Sequence, residues 1–309
     1  MPSQPPLSAL ELRDAVRGAR PVDAARLDRI LRVDEEHGLV EVQVGTTWKS
    51  IAERLRPGDA RAEAASRFTL PTVGESIACN AAGPDGRPAI VHVESLTLVA
   101  PEGELRRVTR LAHKEMLALV VGGHNLFGTL YSITLRIDSL ARAVDEATFL
   151  ESLHPQAGLR RLQLLLPPES LAAFESDARR ICGDWRVDIV RIDVRRTLAE
   201  SESFLRWAQR EYAQVNLRLA AWPTLGRGVR GTQLEQELID AAIALGGSFA
   251  LTPDAPATRA QVERCYPQLG EFLAEKRRID PSERVSNAWY RHYRSLLERG
   301  TCEVRFGNA

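Results

Sequence analysis

The chain has 309 residues, 44% of them apolar and 27% charged, enough to bury a large core in two domains or in one domain with a substantial insertion. Lys and Arg total 41, as do Asp and Glu, a balance that excludes the net field needed to gather nucleic acid or an anionic membrane. No stretch approaches the roughly 18 apolar residues of a spanning helix, and Met1-Pro-Ser-Gln-Pro-Pro6 lacks the basic and apolar runs of a signal peptide, so a cytoplasmic location is expected.

In chain order, Ala9 to Arg20 reads as a short amphipathic helix with Leu12, Ala15, Val16 and Ala19 on one face, broken by Pro21. Val40, Val42 and Val44 alternate with Glu41 and Gln43, the period of a half-buried strand, which Gly45 ends. Thr46 is the expected cap of a helix carrying Trp48, Ile51, Ala52 and Leu55 on one side. Leu96 and Leu98 belong to a strand turned by Pro101-Glu-Gly103, and Leu130 to Ile137 forms another. Beyond Asp138, strands are expected over Leu159–Leu166, Trp185–Val194 and Val215–Ala221, with a helix from Thr232 to Leu245 closed by Gly246. From Thr258 the chain reads as helical, interrupted at Pro267 and stopped at Asp280-Pro281. Strands flanked by helices at this spacing imply an α+β class with an antiparallel sheet.

The four cysteines, Cys79, Cys182, Cys265 and Cys302, show neither Cys-x-x-Cys spacing nor a nearby His pair, so no metal site or disulfide framework is expected. Among the six histidines, His124 follows a glycine pair and is the best placed for chemistry, though a structural role outweighs it. His292 is expected to pack within an aromatic cluster. No Ser/His/Asp set lies in a nucleophile-elbow context. The basic runs Glu275-Lys-Arg-Arg278 and Arg227-Gly-Val-Arg230 have no interleaved aromatics and read as solvated surface rather than as a nucleic-acid site.

Four stretches together resemble a known family: Val33 through Trp48; Leu70-Pro-Thr-Val-Gly74 through Ile77-Ala-Cys-Asn80 to Leu98; Val121-Gly-Gly-His-Asn-Leu-Phe-Gly128; and Cys265 through Pro281 with Trp289-Tyr-Arg-His-Tyr293. In this order they resemble the FAD-linked oxidases of the vanillyl-alcohol oxidase and p-cresol methylhydroxylase (PCMH) type, in the branch of decaprenylphosphoryl-ribose oxidase and the sugar and lactone oxidases. The resemblance implies an N-terminal helix and linker over 1–26, a reduced PCMH-type FAD-binding domain over 27–138, an α+β substrate or cap domain with an antiparallel sheet over 139–257, and a C-terminal helical return over 258–309. It implies FAD as cofactor, with Gly74, Ile77, Ala78, Asn80, Gly83, Gly122, Gly123 and Gly128 near it, because a pyrophosphate is held chiefly by backbone N–H groups that glycine lets approach.

The sequence departs from the family at three places. The Arg-Gly-x-Gly-x-Ser loop that wraps the pyrophosphate has no counterpart, Arg17-Gly18 lying on a helix. The crossing loop reads Gly74-Glu75 and Ala82-Gly83, which sets a carboxylate where a phosphate would sit. Ala250 and Pro253 stand at the family's proton-transfer positions and can do neither acid nor base work. No catalytic residue is assignable on this basis. Two functions follow from the sequence. One is an FAD-linked oxidoreductase acting on a sugar-like or alcohol small molecule, with flavin binding and catalysis weakened or lost. The other is an inactive binding or scaffold subunit, acting as a homodimer or with a partner chain that covers the sheet edges left open.

Overall fold

A computed structural model of the chain describes residues 8–18, 26–55, 59–68, 70–139, 159–220 and 227–298. Contacts divide the chain into two compact units. The first gathers Met1–Ala147 with the returning segments Glu200–Arg206 and Glu271–Ser286; the second gathers Thr148–Ala199, Trp207–Gly270 and Asn287–Ala309. Of residues 258–309, the expected C-terminal return, Glu271–Ser286 belong to the first unit and the rest to the second.

The first unit opens with α1 (Ala9–Arg17), where Ser8 and Glu11 form a capping box that satisfies two of the helix's orphan N–H groups. Its sheet is built from β1 (Ile30–Asp34), β2 (Leu39–Gln43), β3 (Val93–Val99), β4 (Leu105–Thr109) and β5 (Thr129–Arg136), in the order β1-β2-β5-β3-β4. Every pair is antiparallel. The register sets Val40 opposite Leu135 and Val42 opposite Ile133, and all four are buried. The helices of this unit are α2 (Trp48–Arg54), α3 (Ala60–Ser66), α4 (Val73–Ala78) and α5 (Lys114–Val120). The cap of α2 is Thr47, one residue beyond the expected Thr46; its side chain accepts from Ser50 N–H, whereas the Thr46 hydroxyl donates to the Arg29 carbonyl.

The second unit holds β6 (Leu159–Leu166), α6 (Leu171–Asp184), β7 (Ile189–Thr197), β8 (Tyr212–Ala220), α7 (Arg227–Ala244), β9 (Ser248–Phe249) and α8 (Arg259–Cys265). Helix α9 (Leu269–Ile279) enters the first unit after Gly270, and α10 (Ala288–Glu298) belongs to the second. The sheet order is β7-β8-β6-β9, again antiparallel. Two boundaries differ from expectation. Trp185 is not in a strand but closes α6, its indole N–H donating to Glu237 at 2.8 Å. Helix α7 begins at Arg227, so Thr232 lies inside it. The α+β class with antiparallel sheets stands as expected.

The basic run in α9 is not uniformly solvated. Lys276 is fully buried and pairs with Asp280 at 2.5 Å, because Lys276 falls on the helix face that also buries Phe272 and Leu273. Among the described residues no helix is long and apolar enough to cross a membrane.

Candidate functional site

Helix α4 and the loop 121–128 bring together most of the residues the resemblance marks. The Gly122 N–H donates to the Ile77 carbonyl at 2.9 Å and the His124 N–H to the Ala78 carbonyl at 2.8 Å. Asn80, with φ 51 and fully buried, accepts from the Ile90 N–H at 2.8 Å, and its Cβ lies against Gly122. A Cβ on Gly123 would stand 2.0 Å from the Leu119 carbonyl oxygen, and one on Gly128 2.6 Å from that of Val99. Both glycines are therefore demanded by close backbone approach. Gly83 lies apart, in the tight turn 83–86, where its N–H donates to the Arg87 carbonyl at 2.7 Å.

A cleft of about 630 Å³ opens beside this assembly, lined by Val44, Pro71, Thr72, Glu75, Cys79 and Asn125 among others. Of the eight marked residues, Gly74, Ala78 and Gly128 line it; Ile77, Asn80, Gly83, Gly122 and Gly123 do not. Glu75 is the one charged side chain among the lining residues. It closes a capping box with Thr72, its carboxylate accepting from the Thr72 N–H at 3.3 Å.

The first-turn N–H groups of α4 are all taken. Val73 donates to the Thr46 carbonyl at 3.0 Å, Gly74 to Val44 at 2.8 Å, and Glu75 to the Thr72 hydroxyl at 3.2 Å. Cys79 lines the cleft with its thiol pushed up to about 11 by desolvation, which keeps it protonated and unreactive near neutrality. Burial pushes the His124 imidazole down to about 4, so at neutral pH it carries no charge.

Sequence reasoning missed a part-buried Asp85–His92–Ser139 set. His92 Nδ1 meets the Ser139 hydroxyl at 2.6 Å, and Asp85 Oδ1 lies 3.4 Å from His92 Nε2. The Ser139 hydroxyl also donates to the Arg136 carbonyl at 2.6 Å, and His92 is 1% exposed. A hydroxyl already donating, beside a ring with no access to solvent, has no room for a substrate; this is a core histidine. His92 is seven residues from Asp85 and 47 from Ser139, so no local pattern could have announced it.

In the second unit a cavity of about 530 Å³ is lined by Gln163, Asn216, Arg218, Phe249, Ala250 and Thr252, among others. Ala250 thus lines a cavity, and its methyl group can do neither acid nor base work there. Trp289 donates to the Leu251 carbonyl and Tyr293 to that of Thr252, at 2.8 and 2.9 Å, while His292 packs edge-on against Tyr293.

Comparisons agree with this architecture. The family model described as FAD binding domain matches residues 8–109, about a third of the chain. A crystal structure of alkyldihydroxyacetonephosphate synthase, in space group P212121, superposes with a TM-score of 0.58 at 11% identity, covering 90% of this chain and 75% of that one. No curated protein sequence matches. Residues 8–109 thus match an FAD-binding domain, for which FAD is the cofactor, and the chain shares its fold with that synthase.

Proposed function

We propose that this chain is an FAD-linked oxidoreductase relative in which flavin binding has weakened and hydride chemistry has been lost, leaving a binding or scaffold subunit. The reading is carried by the backbone donors of the α4 cleft. A pyrophosphate needs several unspent N–H groups or cations around it. The α4 N–H groups of Val73, Gly74 and Glu75 are spent on Thr46, Val44 and Thr72, and those of Gly122 and His124 on Ile77 and Ala78. Among the described residues, the sole charge lining the cleft is the Glu75 carboxylate, which repels a phosphate. These residues do not suit the pyrophosphate of FAD, though the apolar walls and Thr72 suit a neutral ring with a hydroxyl.

The loss of catalysis rests on Ala250 and Pro253 at the proton-transfer positions. A partner chain or a second copy is part of the same proposal, since β1 and β4 are the outer strands of their sheet and carry Leu31 and Leu105, 40% and 43% exposed.

The test is the visible spectrum of the purified protein, before and after incubation with excess FAD and removal of the unbound portion. A colourless protein that retains no stoichiometric flavin is expected. Stoichiometric flavin absorption, with bleaching by a sugar or alcohol substrate, overturns the proposal.

A further inference from the structure

The polar face of the second unit's sheet presents a charge problem. The register places Arg218 of β8 directly opposite Arg161 of β6 and Arg191 of β7, so three guanidinium groups stand in a row across neighbouring strands. Like charges directly opposed destabilise a strand pair unless an anion lies among them. The carboxylate nearest Arg218 among the described ion pairs is Asp193, which binds Arg191 Nε at 2.5 Å and holds its other oxygen 3.7 Å from Arg218 Nη2, outside hydrogen-bond reach.

Arg218 is 7% exposed, and its Nε and Nη2 have no hydrogen-bond partner. Those two N–H groups form one edge of the guanidinium, the edge that takes two oxygens of a carboxylate or phosphate side by side. Asn216, two residues along β8 on the same face and 9% exposed, has an equally unpartnered Nδ2. Burying such donors without acceptors is costly. Both residues line the 530 Å³ cavity. Its other charges do not cancel them: Glu235 is held by Arg160 through bonds of 2.8 and 2.6 Å, and Asp254 is exposed.

We infer that this cavity binds a small molecule bearing a carboxylate or phosphate group, its oxygens received by the Nε/Nη2 edge of Arg218 and the amide of Asn216, with Ala250 against its apolar part. The site lies within the second unit and does not depend on whether the first holds flavin.

Calorimetric titration of the flavin-free protein with inorganic phosphate, and separately with succinate, against KCl at equal ionic strength tests it. One saturable site is expected for at least one of the two anions and none for KCl, and the anion that saturates identifies the headgroup chemistry. Arg218→Lys, which keeps the charge but loses the fork, and Asn216→Ala are each expected to weaken binding about tenfold or more, with an unchanged circular dichroism spectrum. Arg218→Gln is expected to abolish it; should that variant not fold, the other two decide. Absence of saturable binding by both anions, or binding undiminished in both Arg218→Lys and Asn216→Ala, overturns the inference. A yellow protein that still binds anion refutes the loss of flavin alone, and a colourless one that binds none refutes the anion site alone.

Discussion

The Gly122 N–H sits 2.9 Å from the Ile77 carbonyl oxygen, so the loop expected to lie near a cofactor is fastened to the end of α4. Its glycines are held by the fold's own geometry: Gly122 at φ +78, and Gly123 against the Leu119 carbonyl. Gly123→Ala is therefore expected to destabilise the protein by about 2–3 kcal/mol, and Gly122→Ala by about 1–2 kcal/mol. Urea denaturation measures both, and the loss is expected to be the same with and without added FAD. A Gly123→Ala protein as stable as the wild type would refute the packing account.

Lys276 and Asp280 form a buried pair at 2.5 Å, with Asp280 also accepting from the Arg284 and Val285 N–H groups at 3.1 and 2.9 Å. Lys276→Met strands a buried carboxylate and is expected to cost about 3–5 kcal/mol. Adding Asp280→Asn removes that charge, so the double variant is expected to be less destabilised than the sum of the singles by about 1 kcal/mol or more. Burial alone would raise the Asp280 carboxyl, but Lys276 and the two backbone donors hold it below its ordinary value. Its contribution is present above the usual carboxylate range and is lost as pH falls through the lowered value. A double-mutant cycle that closes additively at pH 7 would contradict the coupling.

How far the sequence revealed this molecule depended on the range of each interaction. Val40 and Val42 announce β2 because alternation is local, and Gly246 announces the end of α7 because a left-handed φ of +77 suits glycine. Thr46 and Thr47 are chemically equivalent caps, so only the hydrogen bond to Ser50 separates them. Trp185 suggests a strand by its ring, yet ends a helix because its indole reaches Glu237, 52 residues away. The departures at Glu75 and Ala250 were legible, since they needed only residue types. The spent N–H groups of α4 and the row Arg191–Arg218–Arg161 were not, since both follow from register and docking between segments distant in the chain.

His124 supplies a pH dependence of defined sign. Burial lowers its imidazole from 6.5 to about 4 in the folded state, so between those values the unfolded chain binds the proton first. Its contribution to stability is present above about pH 6.5, declines as pH falls, and is lost once pH passes about 4. Comparing wild type with His124→Gln by denaturant titration across that range is expected to show the wild type losing about 2 kcal/mol more than the variant. Parallel pH profiles for the two proteins would refute the buried neutral state.

Glu75 offers the most direct handle on the α4 cleft. It is the sole charged side chain among the residues lining that cleft, and it caps its own helix through the Thr72 N–H. Glutamine at this third helical position can still accept that bond, so Glu75→Gln removes the charge and keeps the capping box. An exposed carboxylate a few ångströms from a phosphate costs ~1 kcal/mol, so the variant is expected to bind ADP or FAD about fivefold more tightly. Fluorescence titration with FAD and calorimetry with ADP measure this, and the unfolding midpoint checks that the cap survives. Unchanged or weaker binding in a variant of unaltered stability would show that the carboxylate does not oppose nucleotide binding.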